Sequence, residues 1–446
     1  MTSLHTDLPT TDDKLELDLE LVRIRDRVMK CRTPHVLGIH GEWGSGKTSF
    51  MRQLQLKLGG EMPNDASVEF VIPSLPKTIK KQLQRSIITV WFDAWRFQNE
   101  PTPIVALLQE MRRQMSGSIA VLEAVKKFGT IATLSALDNL AGISKTIGLD
   151  SLPDIEKIEK RGQQWEKENF AEGLTSDSIR EHLCKTINGL LPSKDARIII
   201  FIDDLDRCSA KSAMRLLEGL KIYLTVPNCV FILGMNERIL VDAIREELTA
   251  PRGVRADELR LRASHYLEKI CTDIYRLPLP KSALSLMTHW LSDSNHRQTL
   301  QLAIGNIMCL PPNPRRIKAL ANQWPRFASC VPFPNNPADQ KIWSVRVLIT
   351  TYLHQFHRDL WERWRFDPDF WEEILALCNG DFGENPPDWA KSLKLTVAPG
   401  NQINPSMSRK VYPNPGDIDN FWIGALIIEY KMHLTPMDFK KLVFNG

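Results

Sequence analysis

The apolar positions fall first into a helical spacing and then into short unbroken runs. Leu17, Leu21, Ile24 and Val28 share one face of the stretch 15–29, with Asp, Glu and Arg between them, so an amphipathic helix is predicted there, ended by Pro34. Four apolar runs follow: HVLGIHG (35–41), SIITVWF (86–92), ARIIIFIDDLDR (196–207) and NCVFILGMN (228–236). Each is too short and too continuously apolar for a surface helix, and each reads as a buried strand. The unbroken segment 198–202 suits a central parallel strand covered on both faces. Helices are predicted at 47–58, 210–223 and 263–271, over most of 101–191, and generally from 255 onward. The segment 59–86, with its prolines and lysines, reads as a loop or short excursion. Strands alternating with helices predict an α/β fold, a parallel sheet wrapped by helices. We expect one domain over 1–330, with a helical insertion at about 101–190 and a helical lid at about 255–330. The Pro- and Asn-punctuated VPFPNNPAD then reads as a linker to a mostly helical domain at 331–446, which holds six of the twelve tryptophans. No internal repeat or low-complexity tract is present.

Composition narrows the class without changing the fold. A chain of 446 residues, 43% hydrophobic and 25% charged, is ordinary for a soluble globular protein. A formal charge of +4 is too weak to argue for a nucleic-acid partner. Residues 331–446 are slightly acidic, with 14 acids against 12 bases. The eight cysteines form no CxxC pair and no Cys/His cluster, which argues against a metal site built on them and for buried thiols in a reducing compartment. The first twelve residues carry no apolar run, so no secretory signal is expected. The longest uncharged run, 298–314, is broken by prolines, and the apolar stretch 128–137 is too short to cross a bilayer. A cytoplasmic protein is expected.

GEWGSGKT (41–48) fits G-x-x-x-x-G-K-[ST] between a predicted strand and a predicted helix. Glycines at those positions let backbone N–H groups turn inward around phosphates, and a helix N-terminus adds its dipole. The candidate phosphate-binding residues are Gly41, Glu42, Trp43, Gly44, Ser45, Gly46, Lys47, Thr48 and Ser49. Lys47 would reach the β- and γ-phosphates, and Thr48 would hold Mg²⁺. In IIIFIDDLDR, Asp203 and Asp204 stand at the carboxyl end of a buried strand, where open α/β sheets bind ligands. Asp203 would hold Mg²⁺, and Asp204 or Asp206 would orient the attacking water. Three carboxylates within four residues repel one another unless a cation is near. These acids would otherwise be a structural cap on the strand.

A further signature is VWFDAWRFQNE (90–100), where an acid stands between two tryptophans at a strand end. Together with the P-loop, DDLDR, and HYLEKICTDIYRLPLP (265–280), it makes residues 15–330 resemble the KAP family of P-loop NTPases. That family belongs to the additional-strand division, near the STAND and AAA+ proteins. The resemblance implies ATP and Mg²⁺ as ligands, ATP hydrolysis, a soluble member without transmembrane insertion, and a prokaryotic setting. Family members occur in antiviral defence systems. In the family the second strand ends in an Asn-Ala-Trp-like motif beside the P-loop. Here Asp93, Ala94 and Trp95 occupy it, with Asp for the usual Asn. Asp93 would face Mg²⁺ or the attacking water, or cap the following segment, and Trp95 would pack under the loop. Asn236 stands where related ATPases carry a polar sensor of the γ-phosphate, and it also suits a helix N-cap.

Asn313 and Pro314 mark a helix start that puts Arg315 and Arg316 in the first turn, where the dipole disfavours cations. An anion is expected there: a γ-phosphate, with these arginines as sensors, or a surface acid. Arg252, Arg255, Arg260 and Arg262 cluster before the predicted helix at 263–271, and one of them would be an arginine finger across a subunit interface. The expected function is an ATP-hydrolysing switch or motor that forms homo-oligomers and drives a separate partner or effector protein. The alternative is a nucleotide-gated scaffold whose Trp-rich C-terminal domain binds a protein or membrane surface. The apolar stripe in WSVRVLITTYLHQFHRDLWERWRF (343–366) reads as a helix docked on the ATPase core. No H-x-E…C-x-x-C pattern supports a deaminase within the chain.

Overall fold

Alternation within each strand decides how the sheet is covered. Five strands, β1 (His35–His40), β2 (Ile87–Asp93), β3 (Arg197–Asp203), β4 (Cys229–Met235) and β5 (Asp273–Arg276), form one sheet in the order β2-β3-β4-β1-β5. Every pairing is parallel. In β3, Ile198, Ile200 and Ile202 enter one apolar cluster, while Ile199 and Phe201 enter the other. Both faces are therefore buried, as continuous apolar runs require.

The structure is a computed structural model describing residues 5–61, 76–100, 103–115, 118, 184, 187–188, 190–193, 195–223, 226–248, 255–271, 273–379, 381, 387–392, 397–398, 402–403 and 421–445. Packing divides the chain into two compact units, Leu8–Pro278 and Met1–Asp7 with Leu279–Gly446. The first unit holds the sheet. One face is covered by α1 (Asp18–Lys30) and α2 (Lys47–Lys57), with Leu21, Ile24 and Val28 of α1 buried as the spacing predicts. The other is covered by α4 (Pro103–Met115), α5 (Ala210–Tyr223), α6 (Glu237–Glu247) and α7 (Ala256–Ile270).

Two elements depart from the sequence reading. Residues 77–86 form a helix, α3 (Lys77–Ser86), where a loop or short excursion is expected. No residue of α3 is buried, so it leaves little apolar signature beyond Leu83, which packs on the sheet. The fifth strand lies inside a region that reads as helical. It has only four residues, and its ends are charged: Asp273 meets Arg27 at 2.7 Å and Arg276 meets Glu237 at 2.7 Å. Charges at a sheet edge block pairing with another chain. Most of the insertion predicted at 101–190, including the Glu- and Lys-rich stretch 153–170, lies outside the described residues. Among the described residues, no helix is long and apolar enough to cross a membrane.

The second unit has one antiparallel strand pair, Val397–Ala398 with Gln402–Ile403, and is otherwise helical: α8 (Ala283–Trp290), α9 (Ser294–Ile304), α10 (Pro314–Ala328), α11 (Pro337–Phe356), α12 (Arg358–Phe366), α13 (Phe370–Asn379), α14 (Asp388–Ser392), α15 (Gly424–Tyr430) and α16 (Pro436–Asn445). The stripe at 343–366 is two helices, broken at His357. Helix α11 is buried nearly all round from Trp343 to Leu353, so it is the core helix of this unit. The tryptophans are core residues: Trp343, Trp361, Trp364, Trp371 and Trp422 are all buried. Trp364 stacks on Trp371 at 5.3 Å and meets Phe439 edge-on at 4.9 Å. Trp364→Ala is expected to lower stability by about 3–5 kcal/mol. Denaturant unfolding of the full chain reads this, and a loss under about 1 kcal/mol would mean the ring is not an anchor.

Candidate functional site

The loop after β1 is shaped by glycines where no other residue is cheap. Gly44 and Gly46 have φ of 79° and 96°, in the left-handed region. A Cβ on Gly41 would lie 2.5 Å from Ser45 Oγ and 2.9 Å from Lys47 Cγ, so only glycine lets the loop close on itself. Helix α2 starts at Lys47, directly after the turn. The Lys47 ammonium is buried and donates to Gly41 O at 2.7 Å, to Glu42 O at 3.4 Å and to Asp206 Oδ2 at 3.4 Å. Ser49 is turned the other way, its Oγ accepting from Thr10 N at 3.0 Å.

The end of β3 faces this loop, and its three carboxylates take three directions. Asp203 is buried, and the nearby Thr48 hydroxyl pulls its pKa down against the effect of burial. Its Oδ1 has no hydrogen-bond partner and packs against Gly234. Asp204 leaves the strand at φ 55° and pairs with Arg207 Nε at 2.9 Å. Asp206 lies on a 3-10 turn, Leu205–Arg207, is 5% exposed, and accepts from Trp43 Nε1 at 2.9 Å. Burial holds the Asp203 carboxyl above the usual carboxylate range. Burial, and then the neighbouring charge of Asp203, pushes Asp204 up to about 7, with Arg207 pulling the other way.

The strand end VWFDAWRFQNE has a partly different role from the expected one. Trp91 stacks on Phe201 of the adjacent strand at 5.6 Å, and the Arg52 guanidinium lies 3.4 Å from the centre of the Trp91 ring. The tryptophan thus supports a cation of α2 on its π face. Asp93 Oδ1 accepts from Arg96 N at 3.2 Å, the capping role, and its charge adds to the upward push on Asp204. Trp95 does not pack under the loop: it is 48% exposed, with Arg207 5.9 Å from its ring. The buried place is taken by Ala94, whose N–H continues the sheet to Asp203 O. Asn236 caps α6, accepting from Arg238 N at 3.1 Å and Ile239 N at 3.5 Å. Its Nδ2 also donates to Glu42 Oε2 at 2.9 Å, and burial raises the pKa of that glutamate.

In the sheet, β4 lies between the P-loop strand β1 and the acid-bearing strand β3. A family model for the KAP family P-loop domain matches residues 23–323. The chain belongs to the KAP family. No curated protein sequence matches it. The KAP P-loop domain makes it a nucleotide-binding NTPase by family.

The site of this KAP protein suits a nucleotide phosphate and a divalent cation. Glu42 Oε1, Ser45 Oγ, Asp203 Oδ1 and Asp206 Oδ1 are all buried oxygens without a hydrogen-bond partner. Buried acceptors left open on the P-loop and after β3 favour a cation or incoming donors. Arg315 and Arg316 belong to the second unit. Asn313 caps α10 as expected, its Oδ1 accepting from Arg316 N at 3.2 Å. Within that unit Arg315 Nε donates to Asp7 at 2.9 Å, and the Arg316 guanidinium lies 4.1 Å from the Phe356 ring centre. The anion expected at this helix start is met there by the Asp7 carboxylate. Of the arginine cluster, Arg255 pairs with Asp257 at 3.7 Å and Arg262 with Glu258 at 2.6 Å, while Arg260 is exposed on α7; Arg252 lies outside the described residues. Sequence reasoning missed the bridges Trp43–Asp206, Glu42–Asn236 and Arg52–Trp91. The acid and the tryptophan inside the P-loop were the available signals.

Proposed function

We propose that this KAP protein hydrolyses ATP and works as an oligomeric switch or motor on a separate partner protein. The observation that carries the reading is the meeting of Lys47 and Thr48 with Asp206 and Asp203 at one sheet edge. In this reading the loop N–H groups and Lys47 bind the β- and γ-phosphates. Lys47 exchanges its bonds to Gly41 O and Asp206 for phosphate oxygens. Thr48 and Asp203 would hold Mg²⁺, which neutralises charge on the phosphates. Asp204 orients the water and accepts its proton, breaking its pair with Arg207. Asn236 senses the γ-phosphate by giving up Glu42. The family resemblance extends the reading to prokaryotic antiviral defence.

An arginine of a neighbouring chain, Arg260 or Arg262 on α7 or Arg252 or Arg255 before it, completes the site in the assembly. Such a residue contributes on the order of 10³–10⁵ in rate. Phosphate release from Mg·ATP is therefore expected to rise per chain with protein concentration. Arg260→Ala is expected to depress turnover while leaving nucleotide affinity nearly intact. Mixing it with Asp204→Asn should restore part of the activity. Turnover independent of concentration, or absent at every concentration, would overturn the motor and leave the nucleotide-gated scaffold.

A further inference from the structure

We infer that Trp43 is a positioning residue of the phosphate site: its indole N–H keeps Asp206 in place when Lys47 changes partners. The inference rests on reading the loop as a nucleotide site. Asp206 is buried, and its Oδ1 has no hydrogen-bond partner. Its Oδ2 takes two donors, Trp43 Nε1 at 2.9 Å and Lys47 Nζ at 3.4 Å. A buried carboxylate needs donors, because removing one of a pair leaves the charge uncompensated. Lys47 is also the cation that phosphates recruit. Once it turns to them, the indole is the hydrogen-bond donor left on Oδ2. Without that donor the carboxylate retains Lys47 in competition with the phosphates, or faces them as a like charge. Both outcomes weaken nucleotide binding.

Burial does not explain a tryptophan at this position. Trp43 is 50% exposed, although it sits inside a tight glycine turn. Its bond to Asp206 is made by a polar atom, Nε1, which neither phenylalanine nor leucine could supply. It acts through Asp206 and need not touch the nucleotide itself.

The test is a double-mutant cycle on the full chain, read as the Kd for Mg²⁺ with a slowly hydrolysed ATP analogue. Trp43→Phe keeps a ring and removes the donor. It is expected to raise Kd about tenfold, the size of one hydrogen bond to a charged group. In an Asp206→Asn background there is no charge to hold, so the same substitution should change Kd by less than about twofold. In steady state the loss from Trp43→Phe should appear in KM, with kcat within about twofold. Equal losses in both backgrounds would overturn the inference and make the indole a direct contact or packing group. An unchanged Kd in Trp43→Phe, or a fall in kcat alone, would also overturn it. Lys47→Ala, run alongside, separates the two readings. Unchanged affinity there removes the nucleotide site itself, whereas a lost Kd there with a normal Trp43→Phe removes only the role of the indole.

Discussion

Lys47→Ala is expected to lower affinity for Mg·ATP by about 10²–10³-fold, the cost of truncating one partner of a buried charge pair. The ammonium is the P-loop's cation, and its burial means that no solvent charge replaces it. Its three acceptors, Gly41 O, Glu42 O and Asp206 Oδ2, are all within the loop or at the end of β3. Removing Lys47 therefore also leaves Asp206 without its ion pair beside incoming phosphates, and like charges add to the loss. The same change acts on the nucleotide-free protein, because a buried carboxylate then depends on Trp43 alone for hydrogen bonds on Oδ2. Titration calorimetry reads the affinity, and thermal unfolding without nucleotide verifies that the variant is folded. Unchanged affinity in a folded variant would remove the phosphate role of the loop.

The parts of this site that were legible in the sequence are those that local chemistry fixes. A strand of unbroken aliphatics has to lie between two covered faces, and β3 does. A glycine-rich turn after a buried strand and before a helix has few other uses, and residues 41–46 make one. Elements with little burial were harder to see. Helix α3 buries no residue, and β5 is four residues of a sheet edge with charges at both ends. The side-chain bridges were not legible, because they join residues far apart in sequence. Trp43 and Asp206 are 163 positions apart, and Asn236 and Glu42 are 194 apart. Only the folded sheet, which places the ends of β1, β3 and β4 side by side, brings them together. Trp95 shows the reverse error. Its place beside the P-loop was implied by the family resemblance, but β3 and β4 separate β2 from the P-loop strand β1, and the backbone turns Ala94 inward and leaves the indole outside.

Asp204→Asn is expected to keep nucleotide binding and lose turnover by about 10²–10⁴-fold, the usual contribution of a general base. Position alone does not select it over Asp206, since both follow the same buried strand. Their partners do. Asp206 is engaged with Trp43 and Lys47 inside the loop, so its carboxylate has work in binding. Asp204 is paired only sideways, with Arg207, and the two side chains are 19% and 38% exposed. An ion pair that open to water is weak and readily exchanged. Burial and the charge of Asp203 also raise the Asp204 carboxyl to about 7, which makes it a better proton acceptor than an ordinary carboxylate. Single-turnover hydrolysis at saturating Mg·ATP separates the cases, because it reads chemistry apart from binding. Asp206→Asn should then retain turnover within about tenfold and show its effect in Kd, where phosphates no longer compete with a carboxylate for Lys47. If Asp206→Asn is instead the variant that binds and does not turn over, the water-orienting role moves to Asp206, and Asp204 is left as the partner of Arg207. If both single variants and the double variant hydrolyse at the wild-type rate, the end of β3 is a structural cap, and the chemistry has to be sought elsewhere on the sheet edge.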